Sequence, residues 1–173
     1  LYMGCVGYSL RFFPDGRIDK RGLKEAELAA RRELQTISAA YRQAGWEEAV
    51  GSSGTAKAIV EILEQNGFSA GGITRDGLEK LKAVLLRAGS LDNVDLAGLK
   101  GDRLPVILGG FAIMSAIFKE FELEHMVFSE GALRLGVLYD LLGRYHHHDL
   151  RDATVNAFVR RYGVDLRQAQ QVA

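Results

Sequence analysis

A short apolar run that ends directly in a glycine-rich turn, with a helical pattern after it, constrains the fold of this chain more than any other feature. Residues 46–50 predict a short buried strand, and residues 56–65 predict a helix. The turn between them, called the glycine turn below, consists of Gly51, Ser52, Ser53, Gly54 and Thr55. Residues 124–128 predict another strand that runs through a turn into a helix. Strands that alternate with helices favour an α/β fold, with a mainly parallel sheet of few strands covered by helices.

Helices are predicted for most of the remaining chain. Residues 1–13 predict the end of a strand and a short helix, and residues 22–41 predict a long helix that Gly45 ends. Thr74 caps another helix, and Pro105 begins an apolar helix that is buried on most sides. Gly143 ends the helix after the second strand, and further helices follow it. Because two or three strands are few for such a sheet and the chain begins with Leu1, we expect it to be a piece of a longer protein.

Composition narrows the function classes. The 173 residues are 47% hydrophobic and 25% charged, which suits one domain with a buried core and excludes disorder. The formal net charge is zero, which argues against a nonspecific nucleic-acid or membrane-surface binder. Cys5 is the only cysteine, so no internal disulfide can form and a reducing, cytoplasmic setting is expected. No apolar run approaches the ~20 residues of a membrane helix.

The glycine turn is the sharpest chemical signal. Glycines allow a close backbone turn, and the N–H groups at the start of the following helix favour an anion such as phosphate. Lys57, one turn into that helix, adds positive charge. The alternative is an ordinary tight turn with a serine cap. The pattern is not a P-loop, which requires Gly-Lys-Ser/Thr at its end.

Two further motifs keep open alternatives. Arg134 lies in the first turn of a helix, where the helix dipole disfavours a cation, unless it contacts a phosphate or a carboxylate such as Glu130. A surface ion pair is the alternative. The adjacent Gly109 and Gly110 cost an apolar helix about 1–2 kcal/mol, so they indicate close approach of a ligand or close packing of another helix.

No complete catalytic set or metal cluster is recognisable. The consecutive residues His146, His147 and His148 point about 100° apart on a helix, so we interpret them as a solvated linker. Cys5 has no nearby base and is interpreted as a small buried residue. The residues alone therefore predict an α/β half-domain that presents a phosphate-binding surface.

A family resemblance rests on five stretches. They are Met3-Gly4-Cys5-Val6, Phe12-Phe13-Pro14, Gly45-Trp46, the glycine turn, and the segment from Ser129-Glu130-Gly131 to Tyr139. In this order they resemble the exopolyphosphatase / guanosine pentaphosphate phosphohydrolase (Ppx/GppA) family of the actin-like phosphotransferase superfamily, over essentially the whole chain. The stretch Leu108-Gly109-Gly110 departs from the family pattern.

The resemblance implies two actin-like, ribonuclease-H-like lobes with the active site between them. Such enzymes remove the terminal phosphate of polyphosphate or guanosine pentaphosphate with Mg2+. The family's two phosphate loops and its water-activating glutamate are not in this chain. Residues 1–143 are therefore expected to be the second lobe without its N-terminal hairpin, and residues 144–173 the start of a C-terminal helical region. Catalytic residues are expected in the missing first lobe, no metal ligand is expected here, and the chain alone is expected to be inactive.

The resemblance also implies roles and partners. The N–H groups of the glycine turn would face the cleft, and Arg134 would contact a phosphate of the substrate or of a guanosine tetraphosphate inhibitor. Cys5 and Glu130 would line the same cleft. We expect polyphosphate or guanosine penta- or tetraphosphate as partner and neither nucleic acid nor membrane. We also expect a homodimer, built edge to edge through an open sheet edge or by swapping helices. The alternatives are a non-catalytic guanosine tetraphosphate-binding or interaction module and, more weakly, a sugar- or acetate-kinase-like relative.

Overall fold

The computed structural model describes residues 1–131, 133–145 and 161. The chain divides into two compact units, Leu1–Glu130 and Gly131–Ala173. The first unit contains α1 (Cys5–Phe12), α2 (Lys20–Ala44), β1 (Val50–Gly51), α3 (Gly54–Gln65), β2 (Ile73–Thr74), α4 (Arg75–Ala88), two 3-10 turns (Leu91–Asn93 and Leu104–Val106), α5 (Ile107–Glu120) and β3 (His125–Phe128). The second contains α6 (Leu133–Tyr145).

The sheet has three strands in the order β1-β3-β2. β1 is parallel to β3, with Val50 opposite Val127, whereas β2 is antiparallel to β3, with Ile73 opposite Met126. The α/β class is therefore confirmed, but the sheet is mixed rather than mainly parallel. The sequence analysis missed β2 because this strand has only two residues and ends at Thr74, the cap of α4.

Local capping signals were predicted correctly. Gly45 ends α2 with a φ of 70°, a conformation that suits glycine. The Thr74 side chain accepts a hydrogen bond from the Gly77 N–H at 3.0 Å. The sequence analysis did not name the cap of α2: Asp19 accepts a hydrogen bond from the Gly22 N–H at 2.7 Å, and this bond lowers the pKa of the Asp19 carboxyl. Each cap fixes where a helix begins or ends.

Helix α5 is the centre of the core. Eleven of its residues are buried, as the apolar pattern after Pro105 predicts. Helix α2 contacts it along one side and contributes an ionic link: the buried Glu120 carboxylate lies 3.1 Å from the Arg31 Nε and 3.7 Å from the Arg42 Nη2. The Arg42 Nη2 also donates to the Glu120 backbone carbonyl. These contacts fix α2 against the C-terminal turn of α5.

Helix α1 approaches the other end of α5 very closely. Gly109 donates its N–H to the Ser9 hydroxyl at 3.1 Å, and this bond is buried. A Cβ on Gly109 would lie 2.6 Å from the Ser9 backbone nitrogen, closer than atoms can pack. Close helix packing, one of the two interpretations of the glycine pair, is therefore what Gly109 provides.

Three details differ from the sequence predictions. Residues 46–50 do not form a buried strand: β1 covers only Val50–Gly51, and Trp46 and Val50 are 43% and 53% exposed. The reason is that β1 is the outer strand, and no described strand pairs with its other side. No strand precedes α1 within residues 1–4. Helix α6 continues to Tyr145, past Gly143.

The histidine run and the helices predicted after it lie outside the described residues. None of the described helices combines the length and apolar character that crossing a membrane requires.

Candidate functional site

The glycine turn lies at the carboxyl ends of two parallel strands. Gly51 is opposite Phe128, and the Ser129 N–H donates to the Gly51 carbonyl at 3.0 Å, so β1 and β3 end at the same edge. A Cβ on Gly51 would lie 2.9 Å from both the Ala56 Cβ and the Met126 Sδ. Glycine at this position therefore lets the strand pass closely under the start of α3. Open α/β sheets bind ligands at such carboxyl edges.

Ser53 starts α3. Its side-chain oxygen accepts a hydrogen bond from the Ala56 N–H at 3.1 Å, and its carbonyl accepts from Lys57. The serine cap that the sequence analysis weighed is thus confirmed. The N–H groups of Gly54 and Thr55 belong to the same first turn and have no intrahelical acceptor. Ser52, Ser53 and Gly54 are exposed, so an anion can reach these donors.

Two cations flank the glycine turn. The Lys57 Nζ lies 3.4 Å from the Glu130 Oε1, in a pair whose carboxylate side chain is 82% exposed. Such an exposed pair contributes at most about 1 kcal/mol, so a phosphate can replace Glu130 as the partner of Lys57. The Arg103 guanidinium lies over Gly54, where a Cβ would be only 3.1 Å from its Nη1.

The sequence analysis missed Arg103. It lies far from the glycine turn in sequence, within a loop that precedes the 3-10 turn Leu104–Val106. Its Nε also lies 3.4 Å from the Asp102 carboxylate. No local pattern predicts its contact with Gly54, because that contact depends on how α5 packs beside α3.

Cys5 and Gly110 lie beside the glycine turn. A Cβ on Gly110 would be 2.6 Å from the Thr55 Cγ2 and 3.6 Å from the Cys5 Cβ. Gly110 thus brings the start of α1, the start of α3 and α5 together. Cys5 is partly buried, which agrees in part with its interpretation as a small buried residue. A role in a ligand site stays a prediction.

Comparison with known proteins decides the family. The sequence profile of the Ppx/GppA phosphatase family matches residues 1–145. The chain belongs to this family. The resemblance drawn from the five stretches is therefore confirmed.

Three curated relatives of this Ppx/GppA chain share one name, guanosine-5'-triphosphate,3'-diphosphate pyrophosphatase. The protein of Aeromonas hydrophila is 38% identical over 99% of the chain and 34% of its own length. That of Pseudoalteromonas translucida is 38% identical over 100% of the chain and 35% of its own length. That of Aeromonas salmonicida is 37% identical over 99% of the chain and 34% of its own length. The chain thus spans about a third of the length of these relatives.

The predicted site residues of this Ppx/GppA chain fall into both compact units. Gly51, Ser52, Ser53, Gly54, Thr55, Glu130 and Cys5 belong to the first unit. Arg134 belongs to α6 in the second unit and is exposed. Its contact with a phosphate held at the glycine turn stays a prediction.

The described residues do not fit a resident magnesium ion. Among them, no three His, Cys, Asp or Glu side chains form a group that could hold a metal. The glycine turn offers only hydroxyl groups, and the nearby carboxylate of Glu130 is paired with Lys57. Magnesium prefers carboxylates together with substrate phosphates in octahedral geometry. Within residues 1–131, 133–145 and 161, the structure thus shows no ligand set for an Mg2+ ion.

Proposed function

We propose that this chain forms one phosphate-binding wall of a hydrolase that releases the terminal phosphate of guanosine pentaphosphate, with inorganic polyphosphate as the other candidate substrate. One structural observation carries the proposal: α3 begins at the exposed Gly54, the guanidinium of Arg103 lies over Gly54, and Lys57 extends from the same first turn. The printed name of three relatives, 37–38% identical over nearly the whole chain, supports a guanosine polyphosphate as substrate.

The proposed chemistry at the glycine turn is charge stabilisation and positioning. Phosphoryl transfer spreads negative charge over the oxygens of the transferred group, so fixed donors and cations stabilise it. Gly54 and Thr55 would donate their N–H groups to a phosphate, while Lys57 exchanges Glu130 for a phosphate oxygen. The water-activating base and the magnesium ligands are proposed to lie outside this chain. The chain alone is therefore expected to bind but not to hydrolyse.

The finer features of the fold are part of the same proposal. We assign the three-stranded sheet and its helices to the second, actin-like lobe of a two-lobed enzyme. Supporting this assignment, the glycine turn follows β1 at the carboxyl edge of the sheet, where a facing lobe would meet it. Residues 144–173 would begin a C-terminal helical region.

Binding and turnover test the proposal separately. We expect the chain to bind guanosine pentaphosphate in calorimetry and to release no phosphate from it, or from polyphosphate, with Mg2+. Lys57→Gln is expected to weaken binding about tenfold, because a charge-assisted hydrogen bond contributes roughly 1.5 kcal/mol or more. Lys80→Gln is the matched control: its side chain is 49% exposed, against 47% for Lys57, and it pairs with Asp76 on α4. Equal binding by both variants would contradict the role of the glycine turn.

A chimera separates the enzyme from the binding module. The chain would replace its 38% identical counterpart in the Aeromonas hydrophila protein. A chimera that releases phosphate from guanosine pentaphosphate supports the hydrolase proposal. A folded chimera that binds the nucleotide without hydrolysing it supports the non-catalytic alternative instead.

A further inference from the structure

A lysine-rich pocket lies between α2, α4 and α5, away from the glycine turn. Its volume is about 360 Å3, and four lysines line it: Lys20, Lys24, Lys82 and Lys119. It shares no lining residue with the glycine turn. Its size lies within the range of about 300–1,000 Å3 typical of small-molecule sites. We call it the lysine pocket.

The positive charge of this pocket is only partly neutralised. The Lys119 Nζ lies 2.7 Å from a Glu27 oxygen, and Glu27 is the one carboxylate in the lining. Lys82 has a long contact of 3.8 Å with Glu79. Within the described part of the chain, no carboxylate lies within ion-pair distance of Lys20 or Lys24. The lining side chains include four lysines and one glutamate, so their summed formal charge is +3.

The four lysines of the pocket are carried by helices. Lys20 is the first residue of α2 and Lys24 lies one turn further, and α2 has no acidic residue in its first turn. The Asp19 carboxylate already caps this helix end through the Gly22 N–H, so the ammonium groups of the four lysines supply the attraction for an anion. All four lysines extend from helices, which hold a site more rigidly than loops do.

The pocket floor is apolar. Leu23, Phe111 and Ala112 line it and are almost completely buried, at 3%, 2% and 1% exposed. Apolar side chains in the same lining lower the polarity around a bound ligand, which strengthens its ionic contacts with the lysines. A single small anion would leave most of this volume empty.

We propose that the lysine pocket is a second anion site, which binds a chain of two or more phosphate groups. The phosphate chain can belong to an inorganic oligophosphate or to a nucleotide. The proposal is independent of the activity proposed for the glycine turn, because the two places share no residue.

An NMR titration of the 173-residue chain tests this proposal with sodium tripolyphosphate and, separately, GTP as probes. We expect amide shifts to change in residues 20–27, 82–86 and 111–119. The double variant Lys20→Gln/Lys24→Gln is expected to bind tripolyphosphate about tenfold more weakly, since two exposed ionic contacts are lost. Tighter binding of GTP than of tripolyphosphate would indicate that the apolar floor contacts the guanine base. Equal affinities would assign the site to the phosphate chain alone.

Control variants keep the proposal open to refutation. Lys57→Gln alters the glycine turn and Lys80→Gln an exposed lysine elsewhere on α4, and neither should change the shifts of the lysine pocket. Lys24→Glu is the second test variant, and circular dichroism checks that each variant is folded. The proposal is overturned if tripolyphosphate shifts only residues 51–57, or if the double variant binds it as the native chain does. Competition by citrate at equal concentration would also overturn it, because a general anion effect would then explain the binding.

Discussion

Replacing Gly109 by alanine tests the close contact between α1 and α5. The added Cβ would lie 2.6 Å from the Ser9 backbone nitrogen and 2.8 Å from its hydroxyl oxygen. Neither a backbone atom nor a buried hydroxyl can move away easily, so α1 and α5 must separate. That movement also breaks the 3.1 Å hydrogen bond that the Gly109 N–H donates to Ser9.

Three contributions set the magnitude. Alanine favours a helix over glycine by about 1 kcal/mol, which stabilises the variant. Overpacking in a core costs about 1–3 kcal/mol. A buried hydroxyl and N–H that lose each other cost about 1–3 kcal/mol more. The net loss in free energy of unfolding is therefore between about 1 and 5 kcal/mol, and we expect about 3 kcal/mol.

Urea unfolding followed by circular dichroism measures this loss. Gly7→Ala is the matched control, since Gly7 lies within α1 and its Cβ would meet nothing within 4 Å. The control should gain up to about 1 kcal/mol, so the same substitution has opposite signs at the two positions. If Gly109→Ala were as stable as the native chain, the close approach of α1 to α5 would be wrong.

Four further outcomes are expected. Ser53→Ala should lower the free energy of unfolding by about 1 kcal/mol in urea titrations while Ser53→Asn retains stability; equal values for all three proteins would argue against the cap. The hydrogen bond from the Gly22 N–H lowers the pKa of the Asp19 carboxyl in the folded protein. This cap therefore stabilises the fold at pH values above the unfolded carboxyl pKa of about 4. The stabilisation is lost as the pH falls through the lower pKa of the folded state. In the Asp19→Asn variant the cap remains but does not titrate, so the free energy of unfolding should depend less on pH in this acid range. An unchanged pH dependence would refute the role of the Asp19 carboxylate. Arg134→Ala in a full-length enzyme that carries this chain should raise KM for guanosine pentaphosphate; unchanged kinetics would count against a phosphate contact. Val50→Lys should reduce dimers in light scattering, because a charge on the outer strand opposes edge pairing; a native chain that is monomeric at high concentration would contradict the homodimer.

Local signals predicted several helix ends correctly. Gly45 and Thr74 act through their own φ angle and hydroxyl group, and Ser53 caps the residue three positions ahead. Such effects need only a few neighbouring residues, so the sequence contains them. The apolar run after Pro105 likewise predicted the buried helix, because ten of its eleven buried residues are apolar or small and can all face the core only from its centre.

Features that depend on distant parts of the chain were missed. The sequence predicts a buried strand over residues 46–50, but Val50 is exposed because β1 lacks a described neighbouring strand on one side, and Trp46 lies outside β1. Arg103 reaches Gly54 only through the packing of elements far apart in sequence. The glycine turn itself was visible, whereas the cation over it was not. Hydrophobic periodicity predicts which element contains a site residue, but it cannot predict how that residue is placed relative to another element.

The two arginines on Glu120 have a consequence for motion along the helix axes. Arg31 and Arg42 lie eleven positions apart on α2, which is roughly 16 Å along its axis, yet both reach one carboxylate. Their side chains must therefore converge on Glu120 from opposite directions. If α2 slides toward either end of α5, one of the two arginine–carboxylate contacts lengthens. Glu120 therefore opposes movement of α2 along its axis in both directions. We expect α2 and the C-terminal end of α5 to open as one unit, so that their backbone amides lose protection from hydrogen exchange together.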